Sequence, residues 1–266
     1  MNKALLKATL KSNYFIFIIF FLVLMMYSSI IIGMYNPDDL GAWDSMFELF
    51  SPTMLNAMGF QLLEPSLFGF VGGYLYGFIM LMFPMIYIIV LGPRMIAKYV
   101  DSGSMSFLLS TPNTRQKISV TQAFYMSVSI FILISVVALI NLGFSELMFP
   151  GQMKLYSYFL LNFNLIALLS LLGGISFLSS CLFNESRFAS GFGAGIPIGF
   201  FVINMLSNVS TDLDFLKYFT VFSLFDTNDA VIQSNRVYLN VSILLLLTFA
   251  LYFSGIYIFK KKDLHI

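Results

Sequence analysis

The chain contains little charge, one cysteine and one histidine. Only 10% of its 266 residues are Asp, Glu, Lys or Arg, whereas 59% are hydrophobic and 17% are aromatic. Cys181, the single cysteine, cannot form an intrachain disulfide, and the single His265 offers no histidine cluster for a metal ion. Water could not hold such a chain as a globule, so the composition predicts a polytopic membrane protein.

The common catalytic signatures are also missing. There is no GxxxxGK[ST] loop to bind a nucleotide, no HExxH metal motif and no GxSxG nucleophile motif. We therefore expect no catalysis, no metal and no cofactor on this chain. Nothing in the sequence predicts a nucleic-acid partner.

Six apolar runs contain no Asp, Glu, Lys, Arg or His, and each is long enough to cross about 30 Å of hydrocarbon as a helix. Ion-coupled carriers usually keep ionisable side chains at membrane depth, which argues against that class. The sequence predicts one all-α transmembrane domain over residues 1–266. Its predicted spans are residues 14–35, 67–91, 120–142, 155–183, 188–206 and 238–259.

The charges between these runs are distributed unevenly. Three lysines before the first run, four cations between runs two and three, Arg187, and three lysines after the last run place 11 of the 14 Lys and Arg on one side. By contrast, 10 of the 13 acids fall on the other side. The positive-inside rule predicts that both termini of this multi-pass protein lie in the cytoplasm. The expected location is the plasma membrane of a bacterium.

The first 13 residues place Lys3, Lys7 and Lys11 on one helical face and leucines on the others. This pattern predicts an amphipathic helix lying on the inner leaflet. The alternative is a flexible basic start to the first span.

Residues 93–119 form the predicted cytoplasmic loop between spans two and three. A short apolar core, Met105 to Leu109, lies between Ser102-Gly103-Ser104 and Thr111-Pro112. We expect one amphipathic helix there, with an N-cap from Asp101, Ser102 or Ser104 and an end at Pro112. Asn113, with Gln116 three residues later, predicts a capping box for the next helix. Apolar side chains in a hydrated loop need cover from lipid, from the rest of the chain or from a partner.

Glycines recur every four residues in two spans, which predicts smooth helix faces that let another backbone approach closely. Such a face either packs statically or lines a boundary that opens and closes. A proline in each of the same spans removes a backbone hydrogen bond and favours a kink. The residues predicted to pack or gate are Gly69, Gly73, Gly77 and Pro84 in the second span, and Gly191, Gly195, Pro197 and Gly199 in the fifth.

The chain resembles the membrane subunits of type-2 ABC exporters, the ABC-2 permease family. The resemblance covers an amphipathic start, six spans and an inner loop between spans two and three. The loop stretch Ile96-Ala97-Lys98 through Gly103 to Leu108-Leu109-Ser110-Thr111-Pro112 is similar to the coupling-helix region of that family, although Lys98 stands where the family usually has an acid. The ending Lys260-Lys261-Lys262-Asp263-Leu264 resembles the basic-basic-Asp-Leu ending of the family.

The resemblance implies that two such membrane subunits, identical or paralogous, assemble with two cytosolic ATPases that hold ATP and Mg. It also implies that Tyr99 to Ser110 docks into a groove of the ATPase, with Phe107 and Leu108 as anchors and Arg94 among the rim charges. The residues assigned to coupling are Lys98, Tyr99, Asp101, Ser102, Gly103, Met105, Phe107, Leu108 and Arg115.

Uncharged spans rich in Phe, Met and Tyr favour a hydrophobic or amphipathic cargo. The chain is similar to compact permeases that export amphipathic toxin or antimicrobial peptides, including phenol-soluble modulins, while drug or lipid export also fits the residues. The alternative is a non-transporting sensor or immunity subunit that binds peptides outside and signals to a cytosolic partner.

Overall fold

A computed structural model of the chain describes residues 1–37, 51–60, 63–110 and 113–263. The regular structure of these residues is helical. The α-helices are α1 (Lys3–Gly33), α2 (Pro52–Ala57), α3 (Leu67–Tyr74), α4 (Met80–Leu91), α5 (Ala97–Asp101), α6 (Ser104–Ser110), α7 (Arg115–Met148), α8 (Leu155–Leu182), α9 (Ser186–Ser207), α10 (Thr227–Val231) and α11 (Asn235–Lys261). A π-helical turn (Leu75–Ile79) joins α3 to α4, and short 3-10 helices cover Gly92–Arg94, Thr211–Phe219 and Val221–Leu224.

The all-α prediction with six spans is confirmed. Six helices or joined helices among the described residues are long and apolar enough to cross a membrane. They are α1, the joined stretch Leu67–Asp101, which includes α3, α4 and α5, and then α7, α8, α9 and α11. Residues 264–266, which include His265 and the end of the basic tail, lie outside the described residues.

The fourth span, α8, is the centre of the bundle. In its most apolar window 72% of the residues are buried, against 22% in α1, α9 and α11. Glycines let neighbouring helices approach α8 closely: a Cβ on Gly92 would lie 2.7 Å from Ser176 Cβ, and one on Gly174 would lie 3.0 Å from Leu251 Cβ. Side chains of ordinary size would hold these backbones apart.

The first helix differs from its prediction, because residues 1–13 are not a helix distinct from the first span. No proline or glycine interrupts α1 before Gly33, and its 31 residues extend about 46 Å. Thr9 and Asn13 are buried, and the Thr9 hydroxyl and the Gln122 amide of α7 exchange hydrogen bonds of 3.1 and 3.3 Å. These polar contacts hold the first turns of α1 against α7.

The second span changes helix type half way along. The π turn at 75–79 precedes Pro84, which lies inside α4. From this turn the Tyr76 hydroxyl donates to Asn162 Oδ1 of α8 at 2.8 Å, fully buried. Kinks in membrane helices often start at π turns as well as at proline. The sequence predicted the irregularity at Pro84 but not the π turn before it.

The ends of the spans form two regions. We call the region with the start of α1, helices α5 and α6, residues 183–185 and the end of α11 the basic end. The opposite region, with α2, residues 149–154 and residues 208–234, is the acidic end.

Candidate functional site

The loop between spans two and three folds as two short helices. The predicted apolar helix is present as α6, and α5 before it was not predicted. Helix α5 ends at Asp101, and α6 begins at Ser104 after Ser102 and Gly103. Gly103 has φ of +70°, in the left-handed region that glycine adopts without strain. Residues 111–112, including the predicted stop at Pro112, lie outside the described residues.

Helix α5 is attached to two spans. At its start, the backbone N–H groups of Ile96 and Ala97 both donate to Ser180 Oγ of α8, at 3.1 and 2.9 Å. At its end, Asp101 Oδ2 accepts from the backbone N–H of Ser186, the first residue of α9, at 3.2 Å. The sequence offered Asp101 as a possible N-cap of α6. In the structure Asp101 instead caps the start of the fifth span.

Helix α6 has a buried side and an exposed side. Met105, assigned to the coupling surface, is completely buried and fastens the helix to the bundle. Phe107 has 77% of its surface exposed, while Leu108 packs partly against the core. The two predicted anchors are thus unequal, and Phe107 is the accessible one.

The loop cations have different surroundings. Lys98 is exposed, Tyr99 packs partly against the core, and Arg94 is half-buried. Arg115 instead donates through Nη1 to the backbone carbonyl of Lys262, beyond the end of α11. Lys262 Nζ in turn donates to the Cys181 carbonyl at 3.1 Å, and burial lowers the pKa of Lys262.

The N-terminus completes this region. Asn2 caps α1, its backbone N–H donates to Thr121 Oγ1 at 2.9 Å, and its amide donates to Asn113 Oδ1 at 2.6 Å. Thr114 is the N-cap of α7 and accepts from the Lys117 N–H at 3.2 Å, so the predicted cap at Asn113 was one residue early.

The two sets of glycines spaced four residues apart, which we call the glycine stripes of the second and fifth spans, have opposite surroundings. Gly69, Gly73 and Gly77 face inward, and the first and last approach the chain just before the second span rather than another span. A Cβ on Gly69 would lie 2.4 Å from Glu64 O, and one on Gly77 would lie 2.6 Å from Gly59 O. Pro84 is buried in the same span.

Gly191, Gly195 and Gly199 lie along an open face of α9, because nothing lies within 4 Å of a Cβ built at any of them. A groove of about 450 Å³ runs there between exposed Phe188, Phe192 and Ile196. The buried side of α9 carries Pro197, and Gly193 touches Ser176.

A polar cavity of about 540 Å³, the acidic-end cavity, lies where α2, the π turn, the end of α9 and the 3-10 helices meet. The sequence analysis did not predict this cavity, because its walls come from four separate segments. A signal was nevertheless available: asparagines cluster at 204, 208 and 228, where apolar spans give way to loops. Among the described residues no group of His, Cys, Asp or Glu could hold a metal ion.

The sequence model of ABC-2 family transporter proteins matches residues 6–264. The chain belongs to the ABC-2 transporter family. As an ABC-2 family member it is the transmembrane component of an ABC transporter, whose ATPase is a partner subunit. No curated protein and no solved structure showed significant similarity to the chain.

Proposed function

We propose that this chain is the permease subunit of an ATP-driven exporter and that its basic end faces the cytoplasm. In this proposal α5 and α6 bind the cytosolic ATPase, which holds ATP and Mg. Two permease subunits, identical or paralogous, form the transport pathway.

The exposed Phe107 is the observation that carries the proposal. The side chain is 77% exposed on a helix that Met105 fixes to the bundle. A large aromatic side chain held rigidly outside the core is the kind of residue that dominates protein interfaces, because it loses little conformational freedom on binding. Lys98, exposed on α5, supplies a charge at the rim.

The attachments of α5 explain how a partner would move the spans. Force on α5 would reach α8 through the two hydrogen bonds to Ser180 and α9 through the one between Asp101 and Ser186, since all three have a backbone N–H group as donor. Closure of two ATPases would then displace the ends of the fourth and fifth spans together. This is a short connection between a docking surface and two helices of the transport domain.

The test is ATPase retention by a tagged Phe107→Asp subunit purified in detergent with its partner. We expect at least about 30-fold weaker association, the size of the loss at a central aromatic anchor. Leu147→Asp is the matched control, because Leu147 is 84% exposed but lies at the acidic end. Normal ATPase retention by the Phe107 variant would contradict the docking assignment.

A hydrophobic or amphipathic cargo fits the spans best, and amphipathic toxin or antimicrobial peptides are the proposed class. The predicted spans hold aromatic and aliphatic side chains, and their polar groups are amides and hydroxyls, such as the buried Ser28–Asn141 pair at 2.8 Å. Uptake of a fluorescent amphipathic peptide into inverted vesicles, driven by ATP, tests both the class and the direction. Drugs or lipids in the same assay distinguish the remaining cargo classes.

A second candidate is a non-transporting sensor or immunity subunit. The acidic-end cavity favours it, because a sensor needs a ligand site on the outer side. Peptide binding that alters the partner ATPase without peptide movement into vesicles would support the sensor and contradict the exporter.

A further inference from the structure

The acidic-end cavity has well-supported walls. The Thr220 hydroxyl donates to the Phe200 carbonyl of α9 at 2.8 Å, and the Asn164 amide of α8 donates to the Leu224 carbonyl at 3.3 Å. On the other side Gly59, at φ +68°, approaches the Gly77 carbonyl of the π turn closely. The cavity is therefore framed by contacts between elements and is not a gap left by one loop.

Its lining offers many hydrogen-bonding groups. The side-chain amides of Asn56, Asn204, Asn208 and Asn228 make no hydrogen bond to any other residue of the described chain. Asn204 and Asn208 are only half exposed, so part of their hydration is already lost. Asn56 and Asn228 are exposed, so the four amides are open to water or to a ligand that enters the cavity.

The charge of the lining is negative. Asp214 is paired with Lys217 at 2.8 Å, which neutralises both. Asp226 has no ion-pair partner among the described residues, and its side chain accepts only the Asn228 backbone N–H, at 2.8 Å. Burial, and then the charge of Asp226, raises the pKa of neighbouring Asp229, while the charge of Arg236 opposes this shift.

Part of the cavity lining is apolar. Phe60, Leu81 and Phe225 contribute to it, and Leu81 and Phe225 are buried. Apolar lining of this kind accepts the methylene groups that carry a charged head, and aromatic rings also attract cations.

We propose that the acidic-end cavity binds a primary ammonium group. An ammonium donates three hydrogen bonds, which the Asp226 carboxylate and the amide oxygens accept. The amide NH₂ groups then remain for carbonyl or phosphate oxygens next to the ammonium. A lysine side chain or amino terminus of a peptide and an aminophospholipid headgroup share this chemistry. The inference holds whether the chain exports or only senses.

The test uses the full-length chain in nanodiscs of phosphatidylglycerol and the fluorescent amine dansylcadaverine. We expect saturable binding of this probe and none of N-butyl dansylamide, which lacks the amine. Asp226→Asn should weaken binding by about tenfold, because a charged hydrogen-bond acceptor is lost. The asparagine keeps an oxygen for the Asn228 N–H, so the cap of α10 survives. Asp212→Asn is the control, since Asp212 is an exposed acid outside the lining.

Equal binding of the two probes, or equal binding by the Asp226→Asn and Asp212→Asn variants, would overturn the proposal. Loss of dansylcadaverine binding in Asn204→Leu with Asn208→Leu would support it independently. Displacement of the probe by phosphatidylethanolamine in the disc would assign the site to a lipid headgroup, and displacement by soluble trilysine to a peptide. The assay contains no ATPase, so its failure is separate from failure of the exporter proposal.

Discussion

The glycines of the second span and those of the fifth have the same four-residue spacing but opposite surroundings. A Cβ on Gly69 would press against Glu64 and one on Gly77 against Gly59, whereas one on Gly191, Gly195 or Gly199 would meet nothing within 4 Å. A small-residue stripe therefore indicates a smooth helix face without saying what lies against it. In the second span the chain covers the face itself; in the fifth the face is free for another molecule or for lipid.

The strongest test of this contrast is Gly77→Ala. The added Cβ would lie 2.6 Å from Gly59 O, a backbone atom that cannot rotate away. We expect a loss of about 3 kcal/mol in unfolding free energy, at the upper end of the cost of overpacking. Unfolding in mixed micelles, followed by circular dichroism, measures it.

Gly195→Ala is the matched control for Gly77→Ala. It should be neutral or stabilising by up to about 1 kcal/mol, because alanine favours helix over glycine. Equal losses at the two positions would show that the contrast between the stripes does not govern stability.

Asp101→Ala tests how the open fifth span is held. The change leaves the Ser186 N–H without its acceptor, and we expect a loss of about 1 kcal/mol, as for other helix caps. Asp101→Asn should lose less, because an amide oxygen can still accept. Hydrogen exchange at the start of α9 measures the effect, and unchanged protection there in the alanine variant would show that the cap does not fix the fifth span.

Gly195→Leu should have the smallest effect on the subunit itself, within about 0.5 kcal/mol, because the leucine enters open space. Its effect should instead appear in assembly if a second permease subunit covers the stripe. Light scattering of the detergent-solubilised complex gives the stoichiometry. An unchanged assembly would show that lipid, not a second subunit, lies against this face.

Much of the fold could be predicted because each membrane span is identifiable from its own residues. A run such as residues 120–142 needs no knowledge of its neighbours to be identified as a membrane helix. The start of α7 was predicted to within one residue from its cap, but its extension to Met148 was not, because the turns beyond the hydrocarbon carry polar residues.

The candidate site was harder to predict because its contacts are long-range. Asp101 looked like a local cap, yet its partner Ser186 is 85 residues away, and Arg115 contacts Lys262, 147 residues away. Met105 and Phe107 are both large and apolar, and only packing distinguishes the buried one from the exposed one. Such distinctions depend on which elements meet, and residue types alone do not specify that.

The π turn of the second span has a consequence for the length of that helix. A π turn takes up one more residue than an α turn and leaves the helices on either side of it in phase. Deleting one residue from 75–79 would therefore restore α-geometry without rotating α3 against α4, although it would remove the wide turn that carries Tyr76 and Gly77 to the cavity wall. A deletion inside α4, where the helix is already regular, would instead rotate everything before it by about 100° and turn Tyr76 and Gly77 away from the cavity. The span should therefore tolerate the loss of a residue better at the π turn than in the regular helix that follows it.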